Sequence, residues 1–167
     1  HSCNPRKDIL SEIELIADMG FDFAEITMEA PHGDPSLLWK YRTSIRNTLK
    51  KYDLFATAHA PLALDLGNFF EPARVLWLSQ AKRIIAMAPK IGVEKINFHA
   101  NYSSLIIKND ALKELILKNH VKSLKVLTTL AAKYNVQVLL ENTHESLKDF
   151  RRIAAVKNLF VTLDVGH

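Results

Sequence analysis

Strand-like apolar runs alternate with helix-length segments along the whole chain, and this alternation limits the possible folds more than any other feature. The runs are FDFAEITM, LFATAHA, VEKINFHA, VQVLLEN and LFVTLDVGH. The segments around them carry apolar residues at helical spacing, which gives the order αβαβαβαβαβ. No two strands follow each other directly. The pattern therefore predicts a parallel sheet with right-handed crossovers, either an open doubly wound sheet or a closed barrel.

Capping residues predict where the helices begin and end. We expect the first helix to begin at Asn4 and Pro5 and to stop at Gly20, and the second to run as one helix from Asp34 to a last turn closed by Lys50 and Lys51. The later helices are expected to begin at Glu71, Asn109 and Ser146.

The glycine content favours the barrel over the open sheet. An open dinucleotide-binding sheet carries a glycine-rich first turn, whereas this chain has 5 glycines and neither GxGxxG nor GxxxxGK[ST]. A full (β/α)8 TIM barrel needs about 250 residues, and this chain begins with a helix and stops on a strand. We therefore expect an α/β fold in which residues 1–167 form a single, incomplete TIM-barrel domain, roughly strands 2 to 6 with their helices. The first strand and the C-terminal strands would be lacking.

Composition excludes several classes of protein. The chain has 167 residues, 48% of them hydrophobic and 24% charged, which is typical of a soluble globular protein. The sequence has no apolar run of about 20 residues and no secretory leader pattern, so we expect no membrane partner and a cytoplasmic location. Cys3 is the one cysteine. A metal site would therefore use nitrogen and oxygen ligands.

The net charge of +4 is a weak guide to partners, because the basic residues are scattered along the predicted helices. A sugar phosphate, a nucleic-acid backbone or solubility alone would each account for it.

Acidic or imidazole side chains end four of the apolar runs, and these are the main functional candidates: His59, His99, Glu141, Asp164 and His167. The carboxyl ends of parallel strands are where α/β barrels assemble their chemistry. Carboxylates with imidazoles and no thiolates suit Zn²⁺, Mn²⁺, Co²⁺ or Mg²⁺. A single histidine can instead be a structural hydrogen-bonding residue, whereas a carboxylate that ends a buried strand is rarely left unpaired.

Other polar residues have weaker claims. Glu25 is expected either to line the barrel or to bind a backbone amide or a lysine, and Glu29 to be an exposed loop charge. Asp65 and Asn68 are expected to cap a turn. His144 is placed in a loop. The remaining histidines lack a strand-end position, namely His1, His32 and His120.

Four motifs together carry a family resemblance. HAPLALDLGN, INFHANYS, LLENTHES and TLDVGH occur in this order. They resemble the third to sixth strand motifs of the xylose-isomerase-like TIM-barrel superfamily, and the resemblance spans nearly the whole chain. That superfamily includes sugar and sugar phosphate isomerases and epimerases and the endonuclease IV type of abasic-site nuclease.

The resemblance assigns roles to the same residues. It implies that Glu141 and Asp164 bind one divalent ion, and that His59 and His99 match histidines that hold another zinc with the shared glutamate in the nucleases. His167 corresponds to a histidine that contacts substrate in the epimerases and binds a further zinc in the nucleases. The seventh and eighth strands would supply further ligands.

Three functions follow as hypotheses. The first is a divalent-metal-dependent isomerase or epimerase in which the ion polarises the carbonyl of an open-chain sugar or sugar phosphate, while Glu141 or a carboxylate outside this chain removes the adjacent carbon-bound proton. The second is an endonuclease IV-like zinc-dependent abasic-site phosphodiesterase, with nucleic acid as its partner. Leu62 argues against it, since the nuclease motif has an aromatic residue there. The third is a non-catalytic barrel that binds a small metabolite. A homo-oligomer is compatible with all three.

Overall fold

Five parallel strands form a single sheet in the computed structural model, which describes residues 7–100 and 109–166. The strands are β1 (Phe23–Thr27), β2 (Phe55–His59), β3 (Val93–His99), β4 (Gln137–Glu141) and β5 (Leu159–Thr162). The helices are α1 (Ile9–Asp18), α2 (Pro35–Lys40), α3 (Arg42–Lys51), α4 (Glu71–Met87), α5 (Asp110–Ala132) and α6 (Leu147–Ala154), and a 3₁₀ turn, Ala88–Lys90, follows α4.

The strand order decides between the two predicted architectures. The strands lie side by side in chain order, β1 to β5, and every neighbouring pair is parallel. An open doubly wound sheet reverses its strand order at a switch point, and this sheet does not. The prediction of an incomplete TIM barrel is therefore confirmed.

The two faces of the sheet differ in chemistry. Side chains alternate along each strand, so one face carries buried apolar residues such as Ile26, Ala58 and Phe98, which pack into the core beneath the helices. The opposite face, which corresponds to a barrel interior, carries mostly polar side chains. Strand register aligns them in rows, for example Glu25 with Thr57 on β1 and β2. The polar row nearest the carboxyl ends of the strands is the part that concerns function.

Two predicted helix boundaries are wrong. The first helix begins at Ile9, because Asp8 is its N-cap and accepts the backbone N–H groups of Leu10 and Ser11 at 3.1 Å each. Asn4 and Pro5, the predicted start, lie outside the described residues. The predicted second helix is two helices, α2 and α3, because the chain leaves helical geometry at Tyr41 (φ −95°, ψ 10°).

The remaining caps agree with the sequence. Asp34, Asn109 and Ser146 each accept a backbone N–H at the start of α2, α5 and α6. Gly20 closes the first helix with φ +79°, a left-handed conformation that glycine adopts without strain. Within the described ranges, no helix is long and apolar enough to cross a bilayer.

Candidate metal centre

Three of the predicted strand-end side chains converge on one point at the carboxyl edge of the sheet. The Nε2 atoms of His59 and His99 are 3.0 Å apart. The carboxylate of Glu141 lies beside both rings, with Oε1 at 3.4 Å from His99 Nε2 and Oε2 at 3.8 Å from His59 Nε2. We call these three residues the strand-end cluster. Their donor atoms all lie within 4.8 Å of one another.

Strand register explains why residues so distant in sequence meet. His59, His99 and Glu141 are the last residues of β2, β3 and β4, which are neighbours in the sheet. His99 pairs directly with Glu141, and His59 pairs with Asn97, two residues before His99 on the same face. All three side chains therefore project from the polar face, with 10 to 15% of each side chain exposed.

A backbone contact fixes which nitrogen of His59 is available. The Nδ1–H of His59 donates to the carbonyl oxygen of Ala60 at 2.8 Å, which leaves the Nε2 lone pair directed at His99. A hydrogen bond from the far ring nitrogen to a backbone carbonyl is the usual way in which a metal-binding histidine is oriented. The two rings meet edge to face, with centroids 4.6 Å apart.

Asn97 is a member of this site that the sequence analysis missed. It is 4% exposed, and its Nδ2 group donates to Glu141 Oε2. Its carbonyl oxygen, Oδ1, is buried and has no hydrogen-bond partner among the described residues. The spacing Asn-x-His in INFHANYS was the available signal, because residues two apart on a strand share a face.

The donor set of the strand-end cluster fits a divalent ion. Two ligands at about 2.05 Å from a tetrahedral zinc ion are about 3.3 Å apart. The observed separations of 3.0, 3.4 and 3.8 Å scatter around that value. Imidazole nitrogens with a carboxylate oxygen suit Zn²⁺, Co²⁺ or Mn²⁺. The cluster would leave a fourth position open, as catalytic zinc sites do.

Asp164 lies in the same cavity but outside the strand-end cluster. It follows β5 by two residues and is positioned by Asn142, whose amide accepts the Asp164 N–H at 2.8 Å and donates to its carbonyl at 2.9 Å. The carboxylate of Asp164 accepts the N–H of Gly166 at 2.6 Å. Its role as a ligand stays a prediction. His167 lies outside the described residues, so its predicted contacts do too.

A cavity of about 640 Å³ opens over the cluster. Part of its wall is the loop after β1, residues 28–34. Gly33 turns back so closely onto the end of β1 that an added Cβ would lie 1.9 Å from the carbonyl oxygen of Thr27. Glu29, predicted to be an exposed loop charge, is half-buried in this wall, and its carboxylate accepts the N–H of Leu62. The loops after β1 and β2 are thereby joined at the rim.

The remaining candidates separate into two groups. Glu25 lines the cavity, which is one of its two expected placements, and His32 does so too, although its sequence position gave no reason to expect it. Asp65 accepts the N–H of Gly67 and the side chain of Asn68, which confirms the turn.

His120 is buried in the helical layer. Burial lowers the pKa of its imidazole from 6.5 to about 4, so the ring is neutral. His144 is exposed in the loop after β4.

Comparison with known proteins places this site in a family. A family model described as xylose isomerase-like TIM barrel matches residues 13–167. Two uncharacterized proteins of Methanocaldococcus jannaschii are similar in sequence, at 27% identity over 96% of this chain and 30% over 71%. The chain spans 57% and 48% of the lengths of these relatives.

Solved structures share the fold at low sequence identity. A D-tagatose 3-epimerase-like protein superimposes with a TM-score of 0.79 at 24% identity, over 96% of this chain and 62% of its own. D-psicose 3-epimerase, solved in the presence of D-fructose, gives a TM-score of 0.76 at 17% identity, over 95% and 58% of the two chains. The IolI protein, solved with a bound zinc atom, gives 0.74 at 18% identity, over 93% and 57%. The parallel strand order and the strand-end cluster are consistent with the family match to residues 13–167. The chain belongs to the xylose isomerase-like TIM barrel family.

Proposed function

We propose that this chain is part of a divalent-metal-dependent isomerase or epimerase that acts on a sugar or sugar phosphate. The observation that carries the proposal is the convergence of His59, His99 and Glu141 at the carboxyl edge of the sheet, beneath a cavity large enough for a monosaccharide.

The chemistry divides between the ion and the side chains. A bound divalent ion would polarise the carbonyl and hydroxyl oxygens of an open-chain sugar, which acidifies the neighbouring C–H bond. His59, His99, Glu141 and Asp164 are the proposed ligands, and His167 is a proposed ligand or substrate contact.

Glu141 is also the proposed base. Its carboxylate takes the carbon-bound proton. In an isomerase the same carboxylate can return that proton to the adjacent carbon, whereas in an epimerase a second acid on the opposite face of the sugar must donate a proton to the same carbon while Glu141 keeps the one that it removed. Glu141 is 8% exposed and its Oε2 accepts from Asn97, so little of this carboxylate is open to solvent.

The similar structures support the sugar substrate. Two of them are a D-tagatose 3-epimerase-like protein and a D-psicose 3-epimerase with D-fructose present, and a third, IolI, holds zinc. Their identities of 17 to 24% carry the fold alone, so substrate and metal are proposals for this chain.

The charge of the cavity favours an unphosphorylated sugar over a sugar phosphate or a nucleic acid. Although the chain has a net charge of +4, the charged residues that line the cavity within residues 7–100 and 109–166, histidines aside, are five carboxylates and one amine: Glu12, Glu25, Glu29, Glu141, Asp164 and Lys7. An acidic wall attracts a metal cation and offers acceptors to hydroxyl groups, whereas it repels a phosphodiester backbone. A groove for nucleic acid needs clustered lysine and arginine side chains.

One observation favours the alternative, an endonuclease IV-like zinc-dependent abasic-site phosphodiesterase. The strand-end cluster joins His59 and His99 to Glu141, and this is the set that the resemblance connects with an additional zinc in the nucleases. Against it, Leu62 is 54% exposed at the cavity rim, where the nuclease motif has an aromatic side chain to insert into DNA.

Isotope exchange tests the leading function. The protein with Mn²⁺, Co²⁺ or Zn²⁺ is incubated with ketohexoses and their phosphates in D₂O, and deuterium at the carbon next to the carbonyl is measured by NMR. We expect exchange that EDTA abolishes and added metal restores. Glu141→Gln should abolish exchange, while Glu114→Gln, which changes a carboxylate paired with Arg152 on the surface of α5, should not.

A second arm tests the alternative directly. The same preparations are incubated with a duplex containing one abasic site. Metal-dependent strand cleavage without deuterium incorporation would replace the proposed function with the nuclease. If the metal-loaded protein catalyses neither reaction, the result would favour a non-catalytic barrel.

A further inference from the structure

We infer that Asn97 is a positioning residue for Glu141, whose amide fixes the carboxylate in the orientation that a metal ion needs. The inference rests on the proposed metal site. It adds a residue whose proposed effect on the ion is exerted through Glu141.

The hydrogen bond between the two side chains is buried and long-range. Asn97 and Glu141 are 44 residues apart, on the adjacent strands β3 and β4. Both are more than nine-tenths buried. Because a carboxylate only accepts, the amide must present its Nδ2 group to Glu141 Oε2, and its orientation is therefore determined by chemistry.

This contact leaves the two carboxylate oxygens in different environments. Oε2 is held by Asn97, while Oε1 faces His99 Nε2 at 3.4 Å. A glutamate side chain has several rotatable bonds, so a donor on one oxygen restricts where the other can point. Polar groups that orient a metal ligand in this way commonly change metal affinity 10- to 100-fold when they are removed.

The other half of the amide argues against a purely structural role. Oδ1 is buried without a hydrogen-bond partner in the described part of the chain, and an unsatisfied buried carbonyl destabilises a folded protein. A leucine of similar size would not carry that penalty. Asn97 is thus better suited to orienting Glu141 than to stabilising the core.

Cobalt titration tests the inference without any enzymatic assay. The affinity for Co²⁺ is measured by calorimetry, the Co²⁺ visible spectrum is recorded, and the metal-free proteins are compared by thermal unfolding. For Asn97→Leu we expect Co²⁺ affinity to fall 10- to 100-fold and the spectrum to change. The metal-free melting temperature should change little, because removal of the unsatisfied Oδ1 offsets the loss of the Nδ2 donor to Glu141. Asn97→Ala should show the same loss of affinity if the leucine variant does not fold.

Leu139→Ala is the matched control. Leu139 pairs with Asn97 in the register of β3 and β4 and lies on the same face, but its apolar side chain offers Glu141 no hydrogen bond. This variant should lower thermal stability and leave the Co²⁺ affinity and spectrum unchanged.

The outcomes separate this inference from the proposed function. If the wild-type protein binds Co²⁺, and a folded Asn97→Leu or Asn97→Ala variant binds it with the same affinity and the same spectrum, the role of Asn97 is overturned and the metal site is not. Wild-type protein that binds no divalent ion would overturn the metal site, and the inference with it.

Discussion

Two buried polar groupings in the described part of the chain are built in opposite ways. The strand-end cluster of His59, His99 and Glu141 gathers imidazole nitrogens and a carboxylate around one point. The second grouping, which we call the helix-layer network, joins Arg74 of α4 to Glu71 and to Ser123 of α5. Arg74 donates to both Glu71 oxygens at 2.7 and 2.6 Å and to Ser123 Oγ at 2.8 Å, and Ser123 donates to the Leu66 carbonyl at 2.8 Å.

The difference lies in how completely the groups satisfy one another. In the helix-layer network the guanidinium of Arg74 and the hydroxyl of Ser123 each donate to an acceptor, so the network stabilises the packing of α4 on α5 and of the loop before α4. The strand-end cluster brings metal-ligating atoms together within 3.0 to 3.8 Å instead, and only one proton can lie between the two Nε2 atoms. We interpret the first as structural and the second as a site for a cation.

Removal of a proposed ligand should give the largest effect. His99→Ala deletes one of the two imidazoles, and we expect divalent metal affinity to fall roughly 1,000-fold, about 4 kcal/mol. The metal-free stability should change by about 1 kcal/mol or less, because the cluster contributes to binding and not to packing. Calorimetric metal titration and urea unfolding measure the two quantities. Unchanged metal affinity would show that the cluster is structural after all.

Lowering the pH should destabilise the folded protein through His120, which lies in the helical layer and outside the strand-end cluster. Because burial lowers its pKa from 6.5 to about 4, the unfolded chain binds a proton that the folded chain does not. Stability is therefore complete above pH 6.5 and is lost as the pH falls toward 4, by about 3 kcal/mol in total. The measurement is urea unfolding of metal-free protein at several pH values in that window.

A variant isolates this contribution. His120→Gln should unfold with a smaller pH dependence than the wild type between pH 6.5 and 4.5. Ion pairing with Arg74 and Arg152 lowers the pKa of Glu71 and of Glu114 to about 2, so their contributions are lost only as the pH falls below about 4.5. A pH dependence in the variant equal to that of the wild type would contradict the assignment to His120.

Disruption of the helix-layer network should lower stability without affecting the site. Arg74→Met keeps the apolar stem and removes the guanidinium, which leaves Ser123 without its donor. Since the Glu71 side chain is half exposed and can be solvated, we expect a loss of about 2 kcal/mol. Metal affinity should equal that of the wild type in the same titration. A loss of metal affinity larger than tenfold would show that the two groupings are coupled.

A smaller effect is expected at Gly67, where the loop before α4 contacts the helical layer. An added Cβ would lie 2.5 Å from the His120 ring, which is fully enclosed and has little room to move. Gly67→Ala should therefore cost about 1 to 2 kcal/mol by denaturant unfolding. The double variant with His120→Ala should recover part of that loss, and strict additivity of the two changes would argue against the contact.

The strand-end cluster was predictable from the sequence because strands carry side chains in a period of two. His59, His99 and Glu141 each end an apolar run, and the parallel register then brings them together. Asn97 escaped notice since its importance depends on an inter-strand hydrogen bond that local pattern does not reveal.

The geometry of loops and local breaks in helices were harder to predict from the sequence. His32 reaches the cavity because the loop after β1 folds back at Gly33, which no periodicity predicts. The break at Tyr41 divides a segment whose apolar residues keep helical spacing on both sides. The predicted start of α1 was wrong because Asn4 and Asp8 are both residue types that cap helices. In the structure the Asp8 side chain accepts the backbone N–H groups of Leu10 and Ser11, so the helix begins after Asp8.

The central claim is that His59, His99 and Glu141 bind a common divalent cation. Crystals grown with Zn²⁺ and measured on both sides of the zinc absorption edge test it directly. We predict an anomalous peak about 2.0 to 2.2 Å from Nε2 of both histidines and from a carboxylate oxygen of Glu141. If crystals grown with saturating zinc show folded protein and no such peak at the cluster, His59, His99 and Glu141 do not bind a common cation.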